Sequence, residues 1–450
     1  MQQKSAEQVV EKLRRNGVRL IACTFVDNAG ITRVKTIPVG KLAGAFENGI
    51  GISYVFAVFG INDDITSSPG FDTPSGDMRL IPDSEAVVMA AHTSGWAWAP
   101  VWQYDQELNI MPICQRDFTR RMMEKAAARG ITFKMTYEVE FTLLDLQGQP
   151  LASGLSSYGI PKQILVEDFL VALVDALESQ GISVAQLHPE YALGQYEISV
   201  GPRPPVAAAD QLVLLRQTIL RIAQQHGYRA SFSPVVIPGE VGNGCHIHFS
   251  AWQEGRNLFT GGEGPEETTA TGSAIVAGLL DRLAEMSALW APSVISYERL
   301  QPHHWAGAYT CWGLENREAA IRMVKGTLPI RAKAANFELK SIDGTINPYL
   351  VAGGIIAAGL DGLERNLNLP EPIQTDPDDL SEAEREDRGI RRIATSLPDA
   401  VAKMEQSKFM RTVLGNPMYE SYLAVKKFDI ESYQDKSLEE TAADLLWRFC

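Results

Sequence analysis

Carboxylates recur on the polar faces of amphipathic segments in this sequence, and they are the first residues that could do chemistry. In TFKMTYEVEFTLLD, residues 132–145, apolar and polar residues alternate, which predicts a half-buried strand. Glu138 and Glu140 are two residues apart, so both leave the same face, where like charges raise each other's pKa. A solvated outer face is the simpler interpretation of this pair alone, whereas a bound cation explains it if further ligands follow.

Further ligands do follow, in three segments with the same alternation. HPEYALGQYEISV puts Glu197 on the polar face of a second strand, with Glu190 in the loop before it. GNGCHIHFSA puts His246 and His248 on one face, and NFELKSI sets Glu338 opposite its apolar neighbours. The candidate metal ligands are Glu138, Glu140, Glu190, Glu197, His246 and Glu338. Oxygen donors with one imidazole and no cysteine suit two Mg²⁺ or Mn²⁺ ions better than a structural zinc ion.

Three arginines lie between the histidine strand and the Glu338 strand: Arg299 in SYERL, and Arg317 and Arg322 in ENREAAIR. Guanidinium groups bind phosphate or carboxylate through two parallel hydrogen bonds, and paired metal ions stabilise a phosphoryl group during transfer. The sequence has no GxxxxGK[ST] loop, so metal ions and arginines would have to hold a nucleotide phosphate. For any single arginine, a surface salt bridge is the simpler interpretation.

The elements around these segments indicate how they are positioned. VRLIACTFVDNAGITRVKTIPV predicts a hairpin with strands at 20–26 and 31–39, and its turn contains Asp27, which on local grounds would bond its own backbone. The Gly-, Pro- and Ser-rich residues 60–83 predict a long loop, and a small α+β domain would end near residue 100. Helices are predicted at residues 117–129, 166–180 and 205–226.

The four amphipathic strands carry apolar residues on one face only. This predicts an antiparallel sheet with helices on its apolar side and a polar, functional face on the other. The acidic, proline-containing residues 363–391 are predicted to be a solvated surface segment.

Composition narrows the class of protein. The 450 residues are 45% hydrophobic, enough for a large core, and 41 Lys+Arg against 55 Asp+Glu give a net charge of −14, which argues against nucleic acid binding. The N-terminus has no apolar signal core and glycines interrupt the most apolar run, residues 350–363, so a cytoplasmic protein without a membrane segment is expected. Five cysteines without CxxC spacing indicate reduced, mostly structural thiols.

Together these motifs resemble the glutamine synthetases, specifically the bacterial type I enzymes and their γ-glutamylamide-forming relatives. The resemblance covers nearly the whole chain and rests on FVDNAGITRVKTIP, YEVEF, HPEYALGQYEI, VGNGCHIHFS, SYERL, WGLENREAAIR and FELKSIDGTINPYL. It implies an α+β fold, with an N-terminal β-grasp domain at residues 1–100 and a catalytic α/β domain with a curved antiparallel sheet at residues 101–450. It also implies a homo-oligomer, a dodecamer of two stacked hexamers with active sites between subunits.

The resemblance implies a role for each matching residue. One metal ion would be held by Glu140, Glu190 and Glu197, and the second by Glu138, His246 and Glu338. The residues along ATP would be His248, Ser250, Arg317 and Arg322. The residues at the amino acid and the amine would be Gly242, Arg299, Lys340, Trp305 and Tyr158. Asp27 would reach a neighbouring subunit's site and take the proton of the attacking amine, with Arg299 and Arg317 as further catalytic residues.

The sequence departs from the family pattern at several positions. Trp305 stands where the family has a flap glutamate that helps hold ammonium, and an indole packs against an alkyl chain or a cation instead. Lys340 replaces an arginine that binds the substrate carboxylate, which leaves the identity of the acid open. The acidic residue expected near residues 54–60 has no counterpart, although Asp63 and Asp64 could substitute for it.

The implied activity is that of an ATP-dependent glutamate–amine ligase. Phosphate is transferred from ATP to the γ-carboxylate of glutamate, and an amine then displaces it to give a γ-glutamylamide, ADP and phosphate. Two alternatives stay open at this point: ordinary glutamine synthesis from ammonia, and a non-catalytic family member. The complete ligand set argues against the second, because clustered carboxylates without a use are costly.

Overall fold

The computed structural model describes residues 3–449, in which helices cover two β-sheets of different size. The elements up to the end of the smaller sheet are α1 (Gln3–Arg15), β1 (Leu20–Val26), β2 (Thr32–Pro38), α2 (Leu42–Asn48), β3 (Ile50–Ser53), β4 (Asp77–Pro82), β5 (Val88–Met89) and β6 (Trp96–Tyr104).

The remaining elements follow in chain order. They are α3 (Gln115–Ala127), β7 (Ile131–Leu144), α4 (Ile160–Leu165), α5 (Glu167–Ser179), β8 (Val184–Pro189), β9 (Gln195–Val200), α6 (Pro205–Gln225), β10 (Arg229–Ser231), β11 (Cys245–Gln253), β12 (Arg256–Asn257), α7 (Ala270–Arg282), α8 (Ser287–Trp290), α9 (Ser296–Arg299), β13 (Tyr309–Leu314), β14 (Ala319–Val324), α10 (Arg331–Ala334), β15 (Asn336–Leu339), α11 (Pro348–Glu364), α12 (Glu382–Asp387), α13 (Leu397–Gln406), α14 (Lys408–Leu414), α15 (Asn416–Tyr433) and α16 (Leu438–Leu445).

The smaller sheet has the strand order β2-β1-β6-β4-β3, with β5 paired to β6. Strands β1 and β2 form the predicted antiparallel hairpin, and β1 runs parallel to β6. A buried apolar cluster joins Leu13 of α1, Leu42 of α2 and Leu80 of β4, because these helices lay their apolar sides on the sheet. The predicted small sheet domain at the N-terminus is confirmed.

Two details of this part differ from expectation. The stretch 60–83 is predicted as one loop, but its end forms β4, where Met78 and Leu80 are buried in alternation with more exposed residues. The short alternation is hidden by the polar, Gly- and Pro-rich residues before it. Strand β6 runs through residue 100, where the domain boundary is predicted, and we propose that the boundary lies after this strand.

The larger sheet carries the amphipathic strands. Its order is β13-β14-β15-β11-β7-β9-β8, with β10 on β7 and β12 on β11. The predicted antiparallel arrangement holds for its pairs except β13 with β14, which run parallel although only residues 315–318 connect them. Helices α3 and α6 cover the apolar face, as predicted, and α11 packs against both of these helices.

Helix α11 is the most apolar run of the sequence, and it is a core helix. Fourteen of its residues are buried, and glycines let it approach α7: a Cβ on Gly362 would lie 2.1 Å from the Ala274 carbonyl oxygen. Among residues 3–449 no helix is both long and apolar enough to cross a membrane. Cys23, Cys114, Cys245 and Cys311 are buried free thiols, and Cys450 lies outside the described residues.

The acidic segment 363–391 is only partly solvated. Its charged residues are mostly exposed, but Leu369, Ile373 and Ile390 are buried against the catalytic core, which corrects the prediction of a solvated segment. Single apolar residues at wide intervals leave no periodic pattern, so the sequence offered no signal for this contact.

A buried arginine joins the two sheets. Arg116, at the start of α3, donates to both carboxylate oxygens of Asp210 at 2.9 and 2.7 Å and to Asp83 at 2.8 Å. The Tyr349 hydroxyl donates to Asp210 at 2.7 Å, and the Trp102 ring lies 3.8 Å from the guanidinium carbon. One guanidinium group thus holds together residues from the end of the smaller sheet and from three helices of the larger part.

Removing this cation should destabilise the fold. We expect Arg116→Met to lower the free energy of unfolding by about 3–5 kcal/mol, because it leaves the Asp210 carboxylate buried and uncompensated. The matched control is Arg15→Met, which removes an exposed pair with Glu11. Chemical denaturation followed by fluorescence measures the free energy of unfolding of both variants. An equally small change in the two would contradict the stabilising role of Arg116.

Candidate active site

Strand register brings the predicted ligands together on the polar face of the larger sheet. Across the β7–β11 pair, Glu138 lies opposite His246, and across the β7–β9 pair, Glu140 lies opposite Glu197. Glu338 lies opposite His248 and Arg322 on the flanking strands. Glu190 follows the end of β8, and its amide donates to the Gln195 carbonyl oxygen at 2.8 Å, which fixes it beside β9.

On one side of the cluster, positive groups surround two carboxylates. The His246 Nδ1 atom is 3.1 Å from Glu138 and 3.2 Å from Glu338, while an Arg299 Nη2 atom lies 3.0 Å from His246 Nε2. Arginine can only donate, so Nε2 accepts and the Nδ1 proton faces the carboxylates in this arrangement. Burial alone would raise the pKa of Glu138, but the hydrogen bond from His246 and the His248 ring 3.6 Å away outweigh burial and hold this pKa well below its usual range.

On the other side, three carboxylates have less compensation. The His188 Nε2 atom lies 3.2 Å from Glu197, and its Nδ1 atom lies 3.5 Å from Glu190. Burial raises the pKa of Glu197 to about 7, and the hydrogen bond with Glu197 raises the pKa of His188 to about 9. Burial, with Glu140 nearby, also raises the pKa of Glu190. A further cation would therefore be most favourable on this side.

His188 is a site residue that sequence reasoning missed. The segment HPE is predicted as a loop, but His188 lies in β8, opposite Glu197. The available signal was weak, because only Leu187 and Pro189 flank it before the chain turns.

The donor set fits a hard divalent cation. Three groups have ligand atoms within 4.8 Å of one another: Glu138 with Glu197 and His246, Glu138 with His248 and Glu338, and His188 with Glu190 and Glu197. These groups contain carboxylate oxygens and imidazole nitrogens, which suit Mg²⁺ or Mn²⁺. Glu140 is in none of them, since it accepts hydrogen bonds from the Gly244 amide at 2.7 Å and from Gln195 at 3.0 Å. The predicted division of ligands between two ions stays a prediction.

The GNG turn before β11 allows the close approach of these groups. A Cβ on Gly242 would lie 1.7 Å from the Pro234 carbonyl oxygen, and one on Gly244 would lie 2.6 Å from both Arg299 Nη2 and His246 Nε2. Side chains at these positions would displace the arginine from the histidine. The turn is therefore glycine-rich for packing reasons.

A cavity of about 870 Å³ opens over the cluster. The predicted site residues that line it are Glu138, Glu140, Tyr158, Glu190, Glu197, Gly242, His246, His248, Arg299, Trp305, Arg317, Arg322 and Lys340. Glu338 lies beneath this surface, 1% exposed, and contacts Lys340 and Arg322 at 3.3 and 3.1 Å. Ser250 is outside the lining, and its hydroxyl accepts a hydrogen bond from Trp252.

The groups predicted to lie along ATP that line the cavity, Arg317, Arg322 and His248, differ in how firmly they are held. Arg322 is bonded to Glu338 and, at 2.6 Å, to Glu315, whereas Arg317 is exposed, with its guanidinium 5.8 Å from the Trp305 ring. His248 shares a 2.9 Å hydrogen bond with Asn336. Arg317 is therefore the arginine with the most freedom to bind an incoming anion.

Trp305 belongs to residues 300–308, which we name the flap segment. The indole is 56% exposed and faces the cavity, and its backbone has a φ of 53°. A bulky residue with positive φ is held there by its surroundings at a cost of about 1–3 kcal/mol. What holds this segment therefore also fixes the indole.

Asp27 is not brought to the cavity of its own chain. Its side chain is fully buried, accepts from the amides of Ala29 and Ile31 at 2.9 Å, and pairs with Arg33 at 2.6 Å. Arg33 also contacts Asp63 at 2.7 Å, and Asp63 pairs with Arg448. In this conformation Asp27 bonds its own turn, as expected from the local sequence, and both of its carboxylate oxygens already have partners, so neither is open to an amine. Its predicted role at a neighbouring subunit's site stays a prediction.

A buried lysine fixes the loop that carries Glu190. The Lys162 ammonium group donates to the carbonyl oxygens of Glu190 at 2.9 Å and Ala192 at 3.0 Å. Burial and the nearby Glu190 carboxylate raise the pKa of the Tyr158 hydroxyl. The lysine ties the loop over Glu190 to α4, so the cavity wall there consists of loops rather than strands.

Family comparison agrees with this arrangement. The chain matches the "Glutamine synthetase N-terminal domain" at residues 4–109 and the "Glutamine synthetase, catalytic domain" at residues 112–443. The chain belongs to the glutamine synthetase family. As in this family generally, its chemistry is that of an ATP-dependent ligase that forms carbon–nitrogen bonds.

Individual relatives cover almost the whole chain. It is 43% identical over 443 residues to the γ-glutamylpolyamine synthetase GlnA3 of Streptomyces coelicolor, covering 97% of this chain and 95% of the relative. It is 28% identical over 433 residues to the glutamine synthetase of Methanosarcina mazei, covering 95% and 94%. A crystal structure described as a novel glutamine synthase homolog superposes with a TM-score of 0.85 at 30% identity, covering 95% and 97%.

The carboxylate cluster makes a direct prediction about metal binding. We expect Glu197→Gln to weaken Mn²⁺ binding by about 10–100-fold, because the amide removes charge from two of the three ligand groups. Electron paramagnetic resonance titration of free Mn²⁺ measures this without turnover. Glu178→Gln, an exposed carboxylate on α5, is the control and should leave binding unchanged; equal binding in both variants would remove Glu197 from the metal site.

Proposed function

We propose that this glutamine synthetase family member is a glutamate–amine ligase that makes a γ-glutamylamide from glutamate, ATP and an organic amine. The observation that carries the proposal is Trp305, an indole facing the cavity at the position of the family's flap glutamate. Without that carboxylate the flap cannot attract ammonium by charge, but its ring offers a flat surface for alkyl carbons or a cation.

The relative from Streptomyces coelicolor also supports an organic amine as the nucleophile. Its name describes a synthetase of γ-glutamylpolyamines, and 43% of the aligned residues are identical in the two chains over nearly their full length. A diamine or polyamine would present an alkyl chain to Trp305 and a second ammonium group to the acidic cavity. Polyamines are therefore the amines that we propose first.

The first step of the proposed reaction joins phosphate to the acid. A γ-carboxylate oxygen of glutamate attacks the γ-phosphorus of ATP, the bond to the β-phosphate bridging oxygen breaks, and ADP leaves. Arg317 and Arg322 would orient the phosphates, and Arg299 would orient the amino acid beside Gly242. Lys340 replaces a planar guanidinium by a point charge, and it is already 3.3 Å from Glu338, so the acid would be held mainly by Arg299.

The carboxylates would hold Mg²⁺ or Mn²⁺, with two ions per site as the proposed count. A divalent cation supplies charge stabilisation to the phosphoryl oxygens and neutralises the clustered glutamates. We propose Glu140, Glu190 and Glu197 as one ligand set and Glu138, His246 and Glu338 as the other. Arg299 would keep the His246 ring oriented through its contact with Nε2.

In the second step the amine nitrogen attacks the carbonyl carbon of the acyl phosphate, and the carbon–oxygen bond to phosphate breaks. The attacking amine must be neutral and lose a proton, which requires a nearby carboxylate. Asp27 would act from a neighbouring subunit, as the family resemblance implies.

Glutamine synthesis from ammonia is the second candidate. It is favoured by the similarity to the glutamine synthetase of Methanosarcina mazei, which is 28% identical over 433 residues. Our proposal further includes a dodecameric assembly with sites between subunits, a cytoplasmic location and a role in nitrogen metabolism.

An amine panel tests the proposed function. We expect phosphate release from Mg²⁺-ATP and glutamate to be stimulated strongly by putrescine or spermidine and weakly by ammonia, with methylamine and ethanolamine in between. Mass spectrometry of the product would show the γ-glutamylamide. Preference for ammonia would favour the second candidate, and no stimulation by any amine would overturn both.

The flap residue can be tested by restoring the carboxylate. We expect Trp305→Glu to shift the ratio of kcat/KM for ammonia to kcat/KM for the organic amine by about tenfold towards ammonia, because it adds a charge and removes an apolar surface. Trp305→Phe is the control, since it keeps the aromatic ring. An unchanged ratio in Trp305→Glu would place amine selectivity elsewhere.

A further inference from the structure

The flap segment is anchored at several points along its length, and three of them lie at or next to the indole. The His303 ring lies between the carboxylates of Asp376 and Asp378 at 3.0 and 3.1 Å. The backbone amide of Trp305 donates to Glu318 at 2.9 Å, and the Gly307 carbonyl oxygen accepts a hydrogen bond from Ser341 at 2.7 Å. The segment is thus attached on both sides of the indole and at the indole's own backbone.

Glu318 is the anchor closest to the site. It lies in the turn between β13 and β14, directly after Arg317, and is only 8% exposed. Burial raises its pKa, and the Trp305 amide stabilises its charged form. No salt bridge within 4 Å involves it among residues 3–449, so its bond with the flap segment is its chief polar contact to another element.

The turn that carries Glu318 is itself fixed from the other side. The Glu318 amide donates to the Asn316 side chain at 3.0 Å, and that side chain donates to the carbonyl oxygens of Ile373 and Thr375 at 2.7 and 3.0 Å. The acidic segment that holds His303 therefore also holds the turn that carries Glu318. Flap segment, turn and acidic segment form one connected unit.

The backbone at the anchors is conformationally unusual. Both His303 and Trp305 have positive φ, at 62° and 53°, which residues with side chains rarely adopt. Such angles persist only where the surroundings impose them, and the hydrogen bond to Glu318 acts directly on the second of these residues. Without it, the backbone of Trp305 would be free to relax and turn the indole away from the cavity.

We infer that Glu318 is a positioning residue for amine selectivity, which acts by holding the Trp305 backbone so that the indole faces the cavity. The inference rests on the proposed function, because it assigns the fixed indole to an organic amine. Glu318 touches neither substrate nor metal ligand in this role, and it sets the preference among nucleophiles without entering the phosphoryl transfer step.

The test combines a local structural measurement with an amine comparison. In Glu318→Ala we expect faster amide hydrogen exchange in peptides covering residues 300–308. We also expect kcat/KM for the organic amine to fall about tenfold through KM, with the KM for ATP unchanged, because one hydrogen bond to a buried charge is lost. Glu318→Gln keeps an acceptor oxygen and should restore both readouts. Glu386→Ala, an exposed carboxylate on α12, is the matched control.

A double variant shows whether Glu318 acts through the indole. If it does, Glu318→Ala added to Trp305→Ala causes no further loss of amine selectivity, because the two positions are coupled. Additive losses, or unchanged exchange in residues 300–308 in the single variant, would overturn the inference. A failure of the proposed function would be seen separately, because organic amines would then not stimulate the wild-type enzyme. In that case hydrogen exchange in residues 300–308 would still show whether Glu318 holds the flap segment.

Discussion

Mutual repulsion among carboxylates on one face of a sheet is the constraint on which the catalytic domain depends. Glu138 and Glu140 lie on β7, Glu197 lies on the adjacent β9, and Glu338 lies on β15, which is separated from β7 only by β11; the register leaves these residues no room to separate. Each must therefore be compensated by a cation or by hydrogen-bond donors. Positions such as Gly244 are occupied by glycine because donors and cations need to come this close.

Compensation is unequal across the face, and the inequality has a chemical meaning. Glu338 has Lys340, Arg322 and His246 as partners and remains buried and charged, whereas Glu197 has one histidine and an elevated pKa of about 7. The protein thus supplies its own positive charge where Glu338 is buried. Where Glu190 and Glu197 face the cavity, it leaves negative charge for a metal ion or a substrate ammonium group to neutralise.

Strand-borne ligands could be predicted from sequence because their signal is local. A period of two puts Glu138, Glu140, Glu197, His246 and Glu338 on polar faces without knowledge of any partner strand. The order in which the strands pair was out of reach, because β15 meets β11 across about ninety residues of chain, and this pairing decides that His248 lies opposite Glu338. His188 was missed for the same reason, since its importance comes from the strand beside it.

Residues that act through the backbone of a distant segment leave no sequence pattern. The importance of Glu318 becomes visible only in the structure, where the Trp305 amide donates a hydrogen bond to it. The same is true of Lys162, whose ammonium group donates to the carbonyl oxygens of Glu190 and Ala192. For Asp27 the local sequence does predict a structural feature: the hydrogen bonds within its turn, which the structure contains. The role that the family resemblance implies for Asp27 involves a second subunit.

The division between strands and loops explains how one family can keep its phosphoryl chemistry and change its nucleophile. The proposed metal ligands project mostly from paired strands, as does Arg322, and there a shift of register or rotamer would disrupt several contacts at once. The walls that we propose to meet the amine are loops: the flap segment, the turn with Glu318, and the residues around Glu190 that Lys162 holds. Loop residues can change without moving the sheet. In the proposed function, an indole in place of a carboxylate at position 305, with its backbone tied to a buried glutamate, would alter which amine reaches the acyl phosphate and would leave the machinery that forms it in place.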